Sequence, residues 1–182
     1  MLIILDRDGV INKDSYAYIR RAHEWTPIEG SIEAIARLSQ SGHQIAIATN
    51  QSGVGRGYFS EQHLAEIHHK MQVQIEQAGG VLSHIAFCPH HPDEGCSCRK
   101  PESGLLHEIA NKLNISDLGD AYMVGDSLKD LQAAQRAGCQ PVLVKTGNGL
   151  QTLEQIKGTS LADTPVFNKL SDFVDSLLNG II

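Results

Sequence analysis

The chain has 182 residues, 41% of them hydrophobic, and a formal net charge of −6. That length sustains one domain that buries roughly 70% of its unfolded surface with no disulfide needed to provide a core. The acidic balance excludes a general nucleic-acid binder, whose phosphate affinity needs clustered Lys and Arg, and no apolar stretch approaches the ~20 residues of a bilayer-spanning helix. The start, MLIILDRDG, has neither a basic region nor a small-residue cleavage site. The expectation is a single domain over 1–182, cytoplasmic and monomeric, with a small-molecule substrate and neither nucleic-acid nor membrane partners.

Leu2 to Leu5 is a short Ile and Leu run leading into Asp6, Arg7, Asp8 and Gly9, the pattern of a strand buried on both faces that closes at a turn. Asp6 and Asp8 are two residues apart and point the same way in extended chain. Paired acids there can hold a metal, attack an electrophile or shuttle a proton; equally, Asp8-Gly9 reads as a turn and Asp6 as a solvated strand end. A helix-loop-helix calcium site is excluded because its sixth-position glycine and twelfth-position glutamate are absent. Residues 12–30, with Tyr16, Tyr18, Trp25, Pro27 and Gly30, fit neither helix nor strand period and read as a long ordered loop. Its tyrosines can pack against a ligand or cover the loop, whereas Trp25 reads as packing.

Ile32, Ile35, Ala36 and Leu38 then recur at helical spacing after Ser31. Gln44 to Ala48 is a second strand and delivers Thr49 and Asn50 at its end. The glycines of SGVGRG (52–57) have the wrong spacing and position for a dinucleotide fingerprint, and the segment reads as a flexible loop, with Arg56 either near a ligand or part of a structural turn. Ser60 is a reasonable N-cap for a helix carrying Leu64, Ile67, Met71 and Ile75. Ile85 to Phe87 is a third strand, followed by CPHHPDEGCSCRKPESG, too polar and turn-rich for regular structure. Leu105, Leu106, Ile109 and Leu113 mark a helix ending before Asn114. Ala121 to Val124 is a fourth strand, delivering Gly125, Asp126 and, after four residues, Asp130. Leu128, Leu131 and Ala134 continue as a helix that stops at Gly138. Val142 to Val144, an edge strand at Val166 to Phe167, and a closing helix through Leu170, Phe173 and Leu177 complete the order. Alternating β and α elements predict an α/β fold, a doubly wound parallel sheet covered by helices on both faces. Too little chain separates Asn12 from Ser31 for a large cap domain. Histidines 63, 68, 69 and 107 fall on helical segments and read as surface or interface residues rather than catalysts.

In such a sheet the carboxyl ends of the strands lie along one edge, where open α/β sheets bind ligands. Asp6, Asp8, Thr49 and Asp126 can therefore converge. Their carboxylates repel unless a divalent cation or added protons offset them, and hard oxygen donors suit magnesium, the usual partner of phosphate. Lys100, in the RKP turn, can supply positive charge to a transferring phosphoryl group.

Of the four cysteines, Cys88, Cys96 and Cys98 crowd one loop, and with His90 they form C-x-H-x5-C-x-C. A Cys3His set suits tetrahedral, structural zinc, and the loop would then hold Arg99 and Lys100 over the site. His91 rivals His90 as the fourth ligand. Cys139 stands apart and reads as a small buried apolar residue.

Together, DRDGV, ATN, RKP and GDSLKD resemble the haloacid-dehalogenase superfamily of phosphatases, from Asp6 to Asp130. The resemblance implies that Asp6 is the nucleophile of an aspartyl-phosphate and that Asp8 protonates the leaving alcohol and then activates water. It also implies magnesium on Asp6, Asp126 and the Asp8 carbonyl, and phosphoryl oxygens on Thr49, Asn50 and Lys100. Asp130 either orients Lys100 or is a helix-surface charge. CPHHPDEGCSCRKP with TNQSGVGRG is further similar to the D-glycero-D-manno-heptose 1,7-bisphosphate 7-phosphatase group, which carries magnesium and a loop zinc. That likeness implies loss of the 7-phosphate, retention of the anomeric one, and contacts at Asp14, Thr49, Asn50, Gln51, Ser52 and Arg99. The short stretch between His90 and Cys96, and Ser127 where some members place lysine, depart from the group. A short loop also resembles the histidinol-phosphate phosphatases. Two other classes share single features: glycosyltransferases with an Asp-x-Asp metal site, and zinc-dependent interaction modules.

Overall fold

The computed structural model describes residues 1–15 and 17–182; the expectation for Tyr16 lies outside the described residues. Six strands form one parallel sheet: β1 (Leu2–Leu5), β2 (Gln44–Asn50), β3 (His84–Cys88), β4 (Tyr122–Gly125), β5 (Gln140–Val144) and β6 (Val166–Phe167), in the order β3-β2-β1-β4-β5-β6. The register pairs Ile4 with Ala46 on one side and with Met123 on the other. The chain winds from β1 outward to β3 and then returns to the other side of β1, so the winding reverses between β1 and β4. Loops diverge at that point, and the crevice it leaves is where doubly wound sheets bind ligands.

The two-residue period of the strands splits the core in two. Ile3, Leu5, Ile45, Ile47, Val124 and Val142 face one side, where they pack beneath α1 (Ser31–Gln40), α3 (Glu61–Gln77) and α7 (Leu170–Leu178). Leu2, Ile4, Ala46, Ala48 and Met123 face the other, beneath α4 (Gly104–Lys112) and α5 (Leu128–Ala137). Alanines predominate on the second face of β2, which lets α4 approach closely. Ser60 caps α3, its hydroxyl accepting from the His63 amide at 3.2 Å, and α5 stops at Gly138 in the left-handed conformation. Trp25, expected to pack, is 1% exposed. Cys139 is buried.

Two segments differ from the sequence expectation. Residues Ser52–Gly55 form a short helix, α2, rather than a flexible loop. A side chain at Gly55 would collide with the His91 amide and the Pro89 carbonyl, so glycine permits the turn to seat against the cysteine loop. A further helix, α6 (Gly149–Gln155), has no clear apolar period, because only Gly149 and Thr152 are buried. Among the described residues no helix is long and apolar enough to cross a membrane.

Phe173 closes the first core, meeting Tyr122 edge-on at 5.6 Å and Phe167 at 5.7 Å between ring centroids. Phe173→Ala is expected to lower the unfolding free energy by about 3–5 kcal/mol, read as a reduced urea midpoint with an unchanged denaturant slope.

Candidate active site

The site forms where β1 and β4 end. Asp6 continues β1, its amide donating to the Val124 carbonyl at 2.9 Å, and Asp126 follows β4. Asp6, Asp126 and Asp130 bring one carboxylate oxygen each within 4.8 Å of one another, all buried. Lys100, 2% exposed, enters between them: its Nζ lies 2.9 Å from Asp6 Oδ1 and 2.5 Å from Asp130 Oδ1 and donates to the Ala48 carbonyl at 2.6 Å. Asp130 thus orients Lys100 from a fully buried position and is not a helix-surface charge. Its Oδ2 also accepts from the Ser127 amide and hydroxyl at 3.0 and 2.6 Å.

The electrostatics follow from this crowding. Burial, then the charge of Asp130, push Asp6 well above the usual carboxylate range against the pull of Lys100. The same two causes raise Asp126 to about 7. Burial works against the Lys100 charge, but Asp130 and Asp6 outweigh it and its pKa is raised. Three carboxylates face one ammonium, so two negative charges are left for a hard divalent cation to offset. The backbone leaves room for it: Gly9 and Gly147 both have positive φ, and a Cβ on either would lie 2.2 or 2.1 Å from Asp126 Oδ2. The donor set and this glycine cradle fit a cation held by Asp6 and Asp126. Asn148 steadies Asp126, its amide and side-chain nitrogens donating to Oδ2 at 2.7 and 3.1 Å.

Asp8 sits in a different field. Burial alone would raise it, but the Arg7 guanidinium overrides that effect, aided by Asn12 and Gln51, and holds its carboxyl below the usual range. Arg7 Nη2 donates to both Asp8 oxygens at 3.0 and 2.9 Å, and Asn12 and Gln51 each donate at 2.9 Å. Asp6 and Asp8, two residues apart, are thus tuned in opposite directions.

A cavity of about 620 Å³ opens over these groups, and Asp14, Thr49, Asn50, Gln51, Arg99 and Lys100 line it with the aspartates. Ser52 does not: it is buried at the start of α2. Arg56 is exposed away from the cavity. Asn50 lines the cavity with its amide already engaged, Nδ2 donating to the Lys100 carbonyl at 2.9 Å and Oδ1 accepting from the Lys100 amide at 3.0 Å. It clasps the turn that carries Lys100. Arg99 points a buried Nη1 that has no partner among the described residues.

Cys88, His90, Cys96 and Cys98 cluster at the back of the same turn. Sulfur and Nδ1 atoms stand 3.2 to 3.6 Å apart, against roughly 3.5–3.8 Å between neighbouring ligands of a tetrahedral zinc. The cluster could hold that ion. His91 is outside it, accepting from the Asp93 amide at 3.2 Å instead.

Arg7, Asn12, His68 and Asn148 complete the site, and the sequence reading assigns them no role. Arg7 alone is flagged, by lying between the two aspartates. His68 corrects the expectation for the helical histidines: it is 7% exposed and bonded to Arg7.

A parallel sheet with an Asp-x-Asp pair, a buried lysine and further aspartates at its switch point defines a phosphoric monoester hydrolase of the haloacid-dehalogenase type. A family model described as HAD-hydrolase-like matches residues 97–173. The D-glycero-beta-D-manno-heptose-1,7-bisphosphate 7-phosphatase of Pseudomonas aeruginosa is 49% identical over 97% of this chain and 97% of its own, and that of Pseudomonas putida is 53% identical over 85% and 87%. The crystal structure of D,D-heptose 1,7-bisphosphate phosphatase from B. bronchiseptica, complexed with magnesium and phosphate, superposes with a TM-score of 0.93 at 49% identity and 98% coverage of both chains. The chain belongs to the D-glycero-beta-D-manno-heptose-1,7-bisphosphate 7-phosphatase family.

The value near 7 for Asp126 carries a stability prediction. Between the ordinary 3.8 and about 7, the folded state keeps a proton that the unfolded chain has lost, so without a cation stability falls as pH rises through that window. Asp126→Asn is expected to raise the Tm of the cation-free protein more at pH 8 than at pH 4, measured by thermal shift in chelator, and to weaken the stabilisation that added magnesium gives the parent.

Proposed function

We propose that the chain hydrolyses the 7-phosphate of D-glycero-D-manno-heptose 1,7-bisphosphate through an aspartyl-phosphate on Asp6, acting as one catalytic domain over residues 1–182. Asp6 attacks phosphorus while the bond to the sugar oxygen breaks, and Asp8, protonated once the negative charge of the bound phosphate offsets Arg7, gives that oxygen its proton. Asp8, now a carboxylate, takes a proton from the water that attacks the acyl-phosphate. The phosphorus–Asp6 bond breaks, releasing phosphate and restoring the Asp6 carboxylate. Asp6, Asp126 and the Asp8 carbonyl would hold magnesium, which when bound would supply positive charge against the phosphoryl oxygens. Thr49 and Lys100 donate to those oxygens. Asn50 serves them chiefly by fixing the Lys100 turn.

The observation that carries the bisphosphate reading is Arg99, whose buried, unpartnered guanidinium nitrogen shares the cavity with Asp6. A half-buried guanidinium with a buried, unsatisfied nitrogen calls for an acceptor, and a phosphate that is bound but not cleaved supplies one. Asp14, exposed in the cavity lining, would accept from sugar hydroxyls.

Phosphate release from the heptose bisphosphate and from histidinol phosphate, each with magnesium, tests the substrate. A clear preference for the bisphosphate is expected, and equal or reversed preference sinks it. Asp6→Asn should lose at least 10³-fold in kcat and give no acid-stable acyl-phosphate on quenching, whereas the parent gives one.

We also propose that the Cys3His cluster binds one structural zinc, which ties the loop down immediately before Arg99 and Lys100. Metal analysis of the purified protein is expected to find one zinc per chain. Cys98→Ser should lower that content and lower kcat/KM, because it loosens both Arg99 and Lys100.

A further inference from the structure

His68 lies on the buried face of α3, one side chain behind the cavity lining. Its ring meets Phe87 of β3 edge-on, 5.9 Å between centroids, and its Nε2 stands 3.3 Å from Arg7 Nη1. A guanidinium has only donors, so Nε2 must accept and the ring proton resides on Nδ1. Burial, then the positive charge of Arg7, hold the imidazole neutral, its pKa pulled down to about 3. The acceptor therefore persists at every pH at which a phosphatase of this kind would work.

Arg7 is itself 1% exposed. Its Nε and Nη2 reach Asp8 at 3.2, 3.0 and 2.9 Å, and its remaining nitrogen is the one that meets His68. One edge of the planar fork grips Asp8 and the other is anchored in the core. Removing the anchor would leave a buried N–H without a partner, which is costly, and would let the guanidinium rotate. The Asp8 carboxylate would then lose the alignment on which proton transfer depends.

We propose that His68 is a positioning residue for the proton transfers of Asp8, acting through Arg7. The inference rests on the reading of Asp8 as the group that protonates the leaving alcohol. A histidine that merely filled the space between α3 and β3 would affect both chemical steps alike and would be replaceable by any side chain of similar bulk.

The test compares His68→Leu, which keeps apolar bulk and removes the acceptor, with His68→Gln, which returns an acceptor near the place of Nε2. On the sugar bisphosphate, His68→Leu is expected to lower kcat about 10- to 100-fold with KM within about twofold, and His68→Gln to regain most of the loss. With p-nitrophenyl phosphate the leaving phenolate needs no proton. Release of phenolate in a single turnover, with enzyme in excess, reports phosphorylation of Asp6 and should therefore keep the parent rate in both variants, although steady-state turnover slows. His68→Asn, polar but too short to reach Arg7, takes the place of His68→Leu should that variant not fold, and is expected to behave the same way. Single-turnover release slowed as much as kcat, or Leu and Gln variants with equal kcat, would overturn the positioning role. An Asp6→Asn variant that keeps the parent kcat would overturn the Asp6 reading and the role of His68 with it, whereas an inactive Asp6→Asn variant beside an unaffected His68→Leu variant overturns the His68 inference alone.

Discussion

Everything at the catalytic edge answers to one constraint: three carboxylates are buried around a single ammonium. Lys100 is within 2.9 Å of Asp6 and 2.5 Å of Asp130, and its position governs how much negative charge the pocket tolerates. A buried ion pair of this kind is an expensive way to gain stability, because desolvation offsets most of the attraction. Its use is elsewhere. It holds one donor next to the candidate nucleophile and leaves a deficit of positive charge that a divalent cation and its phosphate-bearing ligand can fill.

The fold positions that charge by backbone means. Asp6 and Asp126 arrive on neighbouring strands, so their separation is set by the spacing of paired strands and the Asp6 amide's bond to Val124. Lys100 arrives from a loop and needs more support. Asn50 clasps its backbone from the end of β2, and the cysteine and histidine cluster gathers the chain just before it. A strand-borne pair of acids is rigid because the sheet is rigid. A loop-borne cation is rigid only when other groups hold it, and two separate devices do so here.

Asp6 and Asp8 show how little sequence distance matters to electrostatics. Asp6 faces two other acids and its carboxyl is raised; Asp8 faces Arg7, Asn12 and Gln51 and its carboxyl is lowered. These directions, set by the protein groups alone, are the reverse of the proposed roles: a cation bound to Asp6 would draw it down to the attacking carboxylate, and the negative charge of a bound phosphate would draw Asp8 up toward the proton donor. The histidine behind Arg7 extends this second environment into the core of α3, where no exposed group could be held so still.

Strand content, the α/β class and the convergence of Asp6, Asp8, Thr49 and Asp126 were legible in the sequence, because buried parallel strands must be apolar runs and their polar ends must share an edge. The C-x-H-x5-C-x-C spacing likewise marked a ligand cluster without coordinates. What only the tertiary structure decided were the contacts between elements far apart in the chain: Asn50 turned to the Lys100 backbone, Ser52 buried away from the cavity, His90 chosen over His91, and His68 drawn inside to meet Arg7. Local pattern records which face of an element is apolar; it carries no information on which single polar group on that face will meet a partner sixty residues away, since that depends on how the packed helices are set against the sheet.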